Sequence, residues 1–309
     1  MLRPAPVREL LVDLKDLCEL AIDLAYSAYL FHSPDLAQEV LEIEEHAGDL
    51  LLNLEMALML AARRPEDAIA LVPISCVGRS IARIIDAAAD IAKMVMRGAG
   101  LHPAIREAFA HTKERLVRVF VAEGSKLANA RAGELEPWVE VIAIKRNGSW
   151  ILNPEDDEVL LPGDIIIARG SPEEVRELVE LADEHGRPPS IPESDEHVVR
   201  LAELLTELKE SSELAIDLAY TALLLNSPEL AREAERLEEY VDELHTDLQV
   251  AVLTSKFNMV EVDDMLALLR IAFLGEEIAD AAADIARTML KGLEPHPVIK
   301  MAIEESDER

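Results

Sequence analysis

The chain has 309 residues, half of them apolar and only 4% aromatic. That length allows two or three domains, and a Leu- and Ala-rich, aromatic-poor composition suits helices better than a β-sandwich. A net charge of −31 repels phosphate backbones and anionic lipids, which argues against nucleic-acid and membrane-surface binding and favours cations or basic partners.

Cys18 and Cys76 have neither metal nor disulfide spacing. They read as small apolar residues in a reducing compartment. The start, Met1 to Pro6, lacks the apolar core of a signal peptide. Apolar stretches such as 50–62 are broken by Asn53 and Glu55 and fall short of the ~20 residues a bilayer needs. The expectation is a soluble, cytoplasmic protein with no inserted segment.

The first helix has Leu10, Leu14, Leu17, Ala21, Leu24 and Ala28 at spacings of three and four, a bundle seam. Ser33-Pro34-Asp35 supplies an N-cap, a first-turn proline and a first-turn acid for a second helix running to about Arg63. Pro65-Glu66-Asp67 opens a third, which stops at Gly98 and Gly100. His102-Pro103 starts a short fourth.

The middle segment changes character. LVRVFVA at 116–122 reads as a strand, and VEVIAIKR and SWIL flank Asn147-Gly148, a type I′ hairpin signal. Leu161 to Asp164 makes a tight turn into the strand IIIAR. Ser171-Pro172-Glu173-Glu174 caps a helix, with Glu174 placed to complete a capping box. Arg187 to Pro192 reads as a stiff linker.

The helical pattern then returns at an offset of 194 residues. ELAIDLAYSAYLFHSPDLA (19–37) recurs as ELAIDLAYTALLLNSPELA (213–231), and DAAADIA (86–92) recurs unchanged at 280–286. The predicted fold is mainly α with one small α+β domain. Residues 1–110 and 188–309 form three-helix bundles around a β-sheet domain at 111–187. The second bundle carries 10 basic and 28 acidic residues, so most of the negative field lies there.

Carboxylates four apart share a helix face and repel unless a cation lies between them. Such pairs occur at Glu19/Asp23, Glu45/Asp49 and Asp86/Asp90, with counterparts Glu213/Asp217, Glu239/Glu243 and Asp280/Asp284. With 61 acids in the chain, a solvated face is the bland reading of each. In the first copy Arg79 and Arg83 neutralise the Asp86/Asp90 stripe. In the second, Phe273 and Glu277 replace them, and Arg287 and Lys291 stand only at the far end. Glu276, Glu277, Asp280 and Asp284, with Glu239 and Glu243, are therefore the candidate ligands of a divalent metal such as Mg²⁺, Mn²⁺, Fe²⁺ or Zn²⁺. His102 and His296 read as helix starts. No phosphate loop, G-x-S-x-G or H-E-x-x-H motif is present, and no nucleophile has a base, so no enzyme is expected.

On the two-copy helical layout, Glu276-x-x-x-Asp280, DAAADIA and the acid pairs at 45/49 and 239/243, the bundles resemble the PhoU family. VEVIAIKRNGSWILNPEDDEVLLPGDIIIARGSPEEVREL resembles the C-terminal domain of TrkA-type regulators of potassium conductance. The PhoU resemblance implies a three-helix repeat and acid-x-x-x-Asp motifs that hold multinuclear metal. The TrkA resemblance implies a small regulatory ligand, for instance a nucleotide, and pairing into a homodimer through the central domain. The fusion is similar to archaeal-type potassium-transport regulators. It implies a non-enzymatic regulator coupled to a membrane potassium or other ion transporter. The alternatives are a metal-binding regulator of phosphate uptake and a structural dimer scaffold.

Overall fold

The computed structural model describes residues 5–135, 139–182, 196–254, 262–290 and 296–307. The first repeat comprises α1 (Val7–Leu30), α2 (Pro34–Ala61), α3 (Pro65–Met96) and α4 (Pro103–His111). The central domain follows with β1 (Arg115–Phe120), β2 (Glu140–Arg146), β3 (Ser149–Leu152), β4 (Ile165–Gly170) and α5 (Pro172–Ala182). The second repeat comprises α6 (Glu196–Leu225), α7 (Pro228–Thr254), α8 (Val262–Leu290) and α9 (Pro297–Asp307). The expected linker at 187–192 lies outside the described residues, as does Gly292, where the second copy of the third helix is expected to end.

Matching sequence signals make matching turns. His32 and its repeat twin Asn226 both adopt positive φ, at 47° and 51°. Ser33 N–H then donates to Ala28 O, and Ser227 N–H to Ala222 O, closing each first helix with a Schellman-type bond. The hydroxyls of Ser33 and Ser227 accept from Leu36 and Leu230 N–H and open the next helix. His102 and His296 start α4 and α9 as expected, each accepting a backbone N–H at Nδ1, from Ala104 and Val298.

The bundles flank the central domain in sequence only. In space α3 packs on α8, α4 packs on α6, and α9 packs on α1, so each short fourth helix serves the other repeat. One continuous apolar core runs through both bundles. This is why α1 is buried beyond its predicted seam. Leu11, Val12, Leu20, Ala25 and Tyr29 are also enclosed, because neighbours cover more than one side of the helix. Among the described residues α3 is the one helix long and apolar enough to cross a membrane. Its Val77, Ile81, Ile84, Ile85 and Ile91 are buried in the bundle core.

The central sheet is antiparallel, in the order β1-β4-β2-β3. Asn147 and Gly148 sit at φ 52° and 88°, as the hairpin signal requires. A register shift between Val141 and Ala143 lets one strand serve two cores. Ile142 and Ala143 join the bundle core with Ile167, while Val141 and Ile144 join Ile166 and Leu178 in a second core that includes α5. Ser171 and Glu174 form the expected capping box on α5.

Arg146 closes the domain. Its guanidinium donates to both carboxylate oxygens of Asp164, to Glu158 at 2.6 Å and to Val159 O at 2.7 Å. Asp164 is 2% exposed and also accepts from Leu161 N–H.

Candidate functional site: carboxylates and arginines between α3 and α8

Helices α3 and α8 run antiparallel against each other. As residue numbers rise on one they fall on the other, for Arg83 lies beside Glu277 and Asp90 beside Arg270. Both helices present the Asp-Ala-Ala-Ala-Asp motif near this seam, with the alanines buried to allow close approach.

Each second aspartate of the motif receives a local cation. Lys93 bonds Glu44 at 3.0 Å and Asp90 at 3.3 Å. Its repeat twin Arg287 bonds Glu235, Glu238 and Asp284 at 3.1–3.4 Å. Arg79 pairs with Glu55 on α2 at 2.6 Å.

Arg83 corrects the sequence reading. It does not neutralise the first-copy stripe. It crosses to α8, with guanidinium nitrogens 3.5 Å from Glu277, 4.0 Å from Asp280 and 3.3 Å from Asp284. In return Arg270 reaches Asp90 at 3.0 Å. The α8 carboxylates therefore do not lack a cation: the other repeat supplies one. Arg83 is held by charge rather than by hydrogen bonds, since its Nε and Nη2 atoms are buried with no hydrogen-bond partner.

Glu276 is the least satisfied acid among the described residues. Its Oε2 is buried and unpartnered. Burial, reinforced by Asp280, Glu277 and Asp242, pushes its carboxyl up to about 7, and Arg83 only partly offsets this. Glu238 on α7 is likewise raised, first by burial. Glu239 and Glu243 are exposed on the outside of α7, as are Glu45 and Asp49 on α2. The α7 acids that bear on Glu276 and Arg287 are Asp242, Glu235 and Glu238, which the sequence reading passed over. Glu19/Asp23 and Glu213/Asp217 lie elsewhere, where α1 and α6 meet the central domain.

Oxygen donors and an orphaned buried carboxylate are the right chemistry for a hard divalent cation. As arranged, with Arg83 in place, the donors do not converge. Among the described residues no three His, Cys, Asp or Glu side chains come together as a metal ion requires.

Residues 11–95 and 205–289 match the PhoU domain family, and residues 116–183 match the TrkA-C domain family. The two PhoU matches together take in more than half of the chain. The chain belongs to the PhoU family. It is similar in structure to PhoU from Pseudomonas aeruginosa, with 15% identity, 93% of this chain and 96% of that chain covered, and a TM-score of 0.50. It is also similar to the phosphate transport system regulatory protein PhoU from Streptococcus pneumoniae, with 11% identity, 92% and 91% covered, and a TM-score of 0.46. No curated protein matches by sequence. In this PhoU-family chain the central domain sits between the two PhoU matches, and its β4 residue Arg169 ion-pairs with Asp23 on α1 at 3.2 Å.

A pH prediction follows from Glu276. Its ordinary value is 4.5, so between pH 4.5 and about 7 the unfolded chain has lost a proton that the folded chain keeps. Stability contributed at this site falls as pH rises through that window. The full shift corresponds to roughly 3 kcal/mol, but the carboxyl is only half-buried, and solvent screening cuts this to about 1 kcal/mol. Glu276→Gln is expected to raise the unfolding free energy read from urea denaturation at pH 8 by that amount, with the gain shrinking towards pH 5.5. An equal gain at both pH values would locate the effect elsewhere.

Proposed function

We propose that this PhoU-family chain is a non-enzymatic cytoplasmic regulator of ion transport, with potassium or another cation as the transported species. The TrkA-C domain senses a small ligand, and the bundles carry its state to a membrane transporter. The observation that supports this most is the union, in one chain, of two PhoU repeats and a TrkA-C domain joined by Arg169 and Asp23. A homodimer forms through the central domain. Both faces of its sheet contribute to cores of their own chain, so the contact uses the outer edges of β1 and β3.

Co-purification from native membranes, with identification of the captured proteins, tests this reading. A potassium or other cation transporter is the expected partner. Capture of a phosphate-transport ATPase or kinase instead would shift the assignment to phosphate signalling.

A second reading, metal-binding regulation of phosphate uptake, is favoured by the orphaned Glu276 oxygen. On that reading Glu276, Glu277, Asp280 and Asp284 hold a divalent cation in place of Arg83, with no part for the exposed Glu239 and Glu243.

A further inference from the structure

A cavity of about 490 Å³ lies where α1 and α6 meet the central domain. That volume falls within the ~300–1,000 Å³ usual for small-molecule sites, which favour such junctions. The two ELAIDLAY segments face each other across it, contributing Glu19 and Asp23 from one repeat and Glu213 and Asp217 from the other. Ile22, Leu214 and Ile278 add apolar surface.

The repeats pack here reciprocally. Lys15 lies over the Tyr220 ring at 5.7 Å, and its twin Lys209 lies over the twin ring, Tyr26, at 5.9 Å. Lys15 bonds Glu19, and Lys209 bonds Glu213. The symmetry fails at one pair only among these. Asp23 receives the guanidinium of Arg169 at 3.2 Å. Asp217, its twin, has no ion-pair or hydrogen-bond partner among the described residues. No cation lining the cavity is spare. Lys15, Lys209 and Lys113 are paired with Glu19, Glu213 and Glu210, while Arg169 is shared among Asp23, Glu114 and Glu140. The lining therefore holds more carboxylates than cations, and Asp217 is the one left over.

We propose that this cavity binds a small organic cation, a guanidinium or primary ammonium head on a short aliphatic body. The head pairs with Asp217 as Arg169 pairs with Asp23, and the methylenes lie on Ile22, Leu214 and Ile278. A guanidinium already occupies the twin position, at the buried Asp23, and supports the same pairing at the exposed Asp217. The apolar lining distinguishes the ligand from a hydrated inorganic ion, which gains nothing from methylene contacts. The site is separate from the α8 carboxylates, so it stands or falls independently of the metal reading. Because the lining comes from both repeats and from β4, a bound cation touches all three parts of the chain.

The probe is agmatine, which carries both head groups on four methylenes, titrated calorimetrically into the full chain at a fixed ionic strength of about 0.15 M. Saturable binding at one site per chain is expected. Asp217→Asn, which keeps the side-chain shape, should weaken it at least tenfold. Leu214→Trp should do the same by filling the cavity without removing a charge. Glu239→Gln, on the exposed side of α7, should leave it unchanged. Absence of saturable binding would overturn the proposal. So would equal weakening by Glu239→Gln, or an equal response to KCl, because either points to general charge screening. If Leu214→Trp does not fold, the Asp217→Asn result alone decides.

Discussion

Arg146→Ala is expected to unfold the central domain while leaving the helical repeats folded. The guanidinium is the only cation bonded to Asp164 among the described residues, and that carboxylate is 2% exposed. Removing one partner of a buried pair leaves an uncompensated charge and costs about 3–5 kcal/mol. The lost bonds to Glu158 and Val159 add to this. Whole domains are stable by only about 5–15 kcal/mol, so such a loss takes a large share of what holds the sheet between α5 and the bundle. Denaturant unfolding followed through Trp150 fluorescence, beside the helical signal in circular dichroism, separates the two parts. Arg146→Lys should recover less than half of the loss, since an ammonium cannot fork onto both oxygens. A loss below 1 kcal/mol would mean that water replaces the guanidinium. The same pair gives Ile144-Lys145-Arg146 and Gly163-Asp164 a structural role. Arg146 ends β2, Asp164 precedes β4, its neighbour in the sheet, and their bond ties the two ends together.

Arg83→Ala is the second large effect. Three acids of α8 lose the cation that spans the seam. The pairs are 3.3–4.0 Å long and Arg83 is 41% exposed, so the expected loss is about 1–2 kcal/mol rather than the full buried-pair value. The variant also tests the metal reading. With Arg83 gone, Mg²⁺ or Mn²⁺ should raise the melting temperature more than NaCl does at equal ionic strength. Binding at a hundredfold excess over Kd stabilises by ~2.7 kcal/mol. Asp280→Asn with Asp284→Asn should abolish the rise, and Glu45→Gln with Asp49→Asn should not. Equal responses to monovalent and divalent salt would show that these acids gather no metal, and would leave Arg83 as their permanent counterion.

Local chemistry made much of the fold legible. The proline-led helix starts, the Asn-Gly hairpin and the Ser171/Glu174 capping box depend on neighbours in sequence, and each forms as read. The repeat was legible because two copies of one module keep the same packing positions. Partners across the seam were not. Arg83 sits two turns from Asp90 and reads as its counterion, yet the closer carboxylates belong to a helix almost two hundred residues away. On α7 a single residue made the difference. Glu239 and Glu243 repeat the acid spacing but point outward, whereas Glu238 lies on the seam between Ala234 and Val241. A step of one residue turns a side chain by about 100°. The buried spacing Ala234, Val241, Leu248 was the signal that would have selected Glu238.

The ion pair between Arg83 and Glu277 has a further meaning. The two residues occupy the same position of the repeat, 194 residues apart, and they face each other across the seam. A residue beside a two-fold axis meets its own copy. In a dimer of two identical short chains that position would set arginine against arginine or glutamate against glutamate, and like charges would push the halves apart. Opposite charges can stand there only when the two halves differ in sequence, as separate stretches of one polypeptide are free to do. The covalent link thus does more than hold the repeats together: it permits an attraction on the axis that no symmetric assembly of either half could contain.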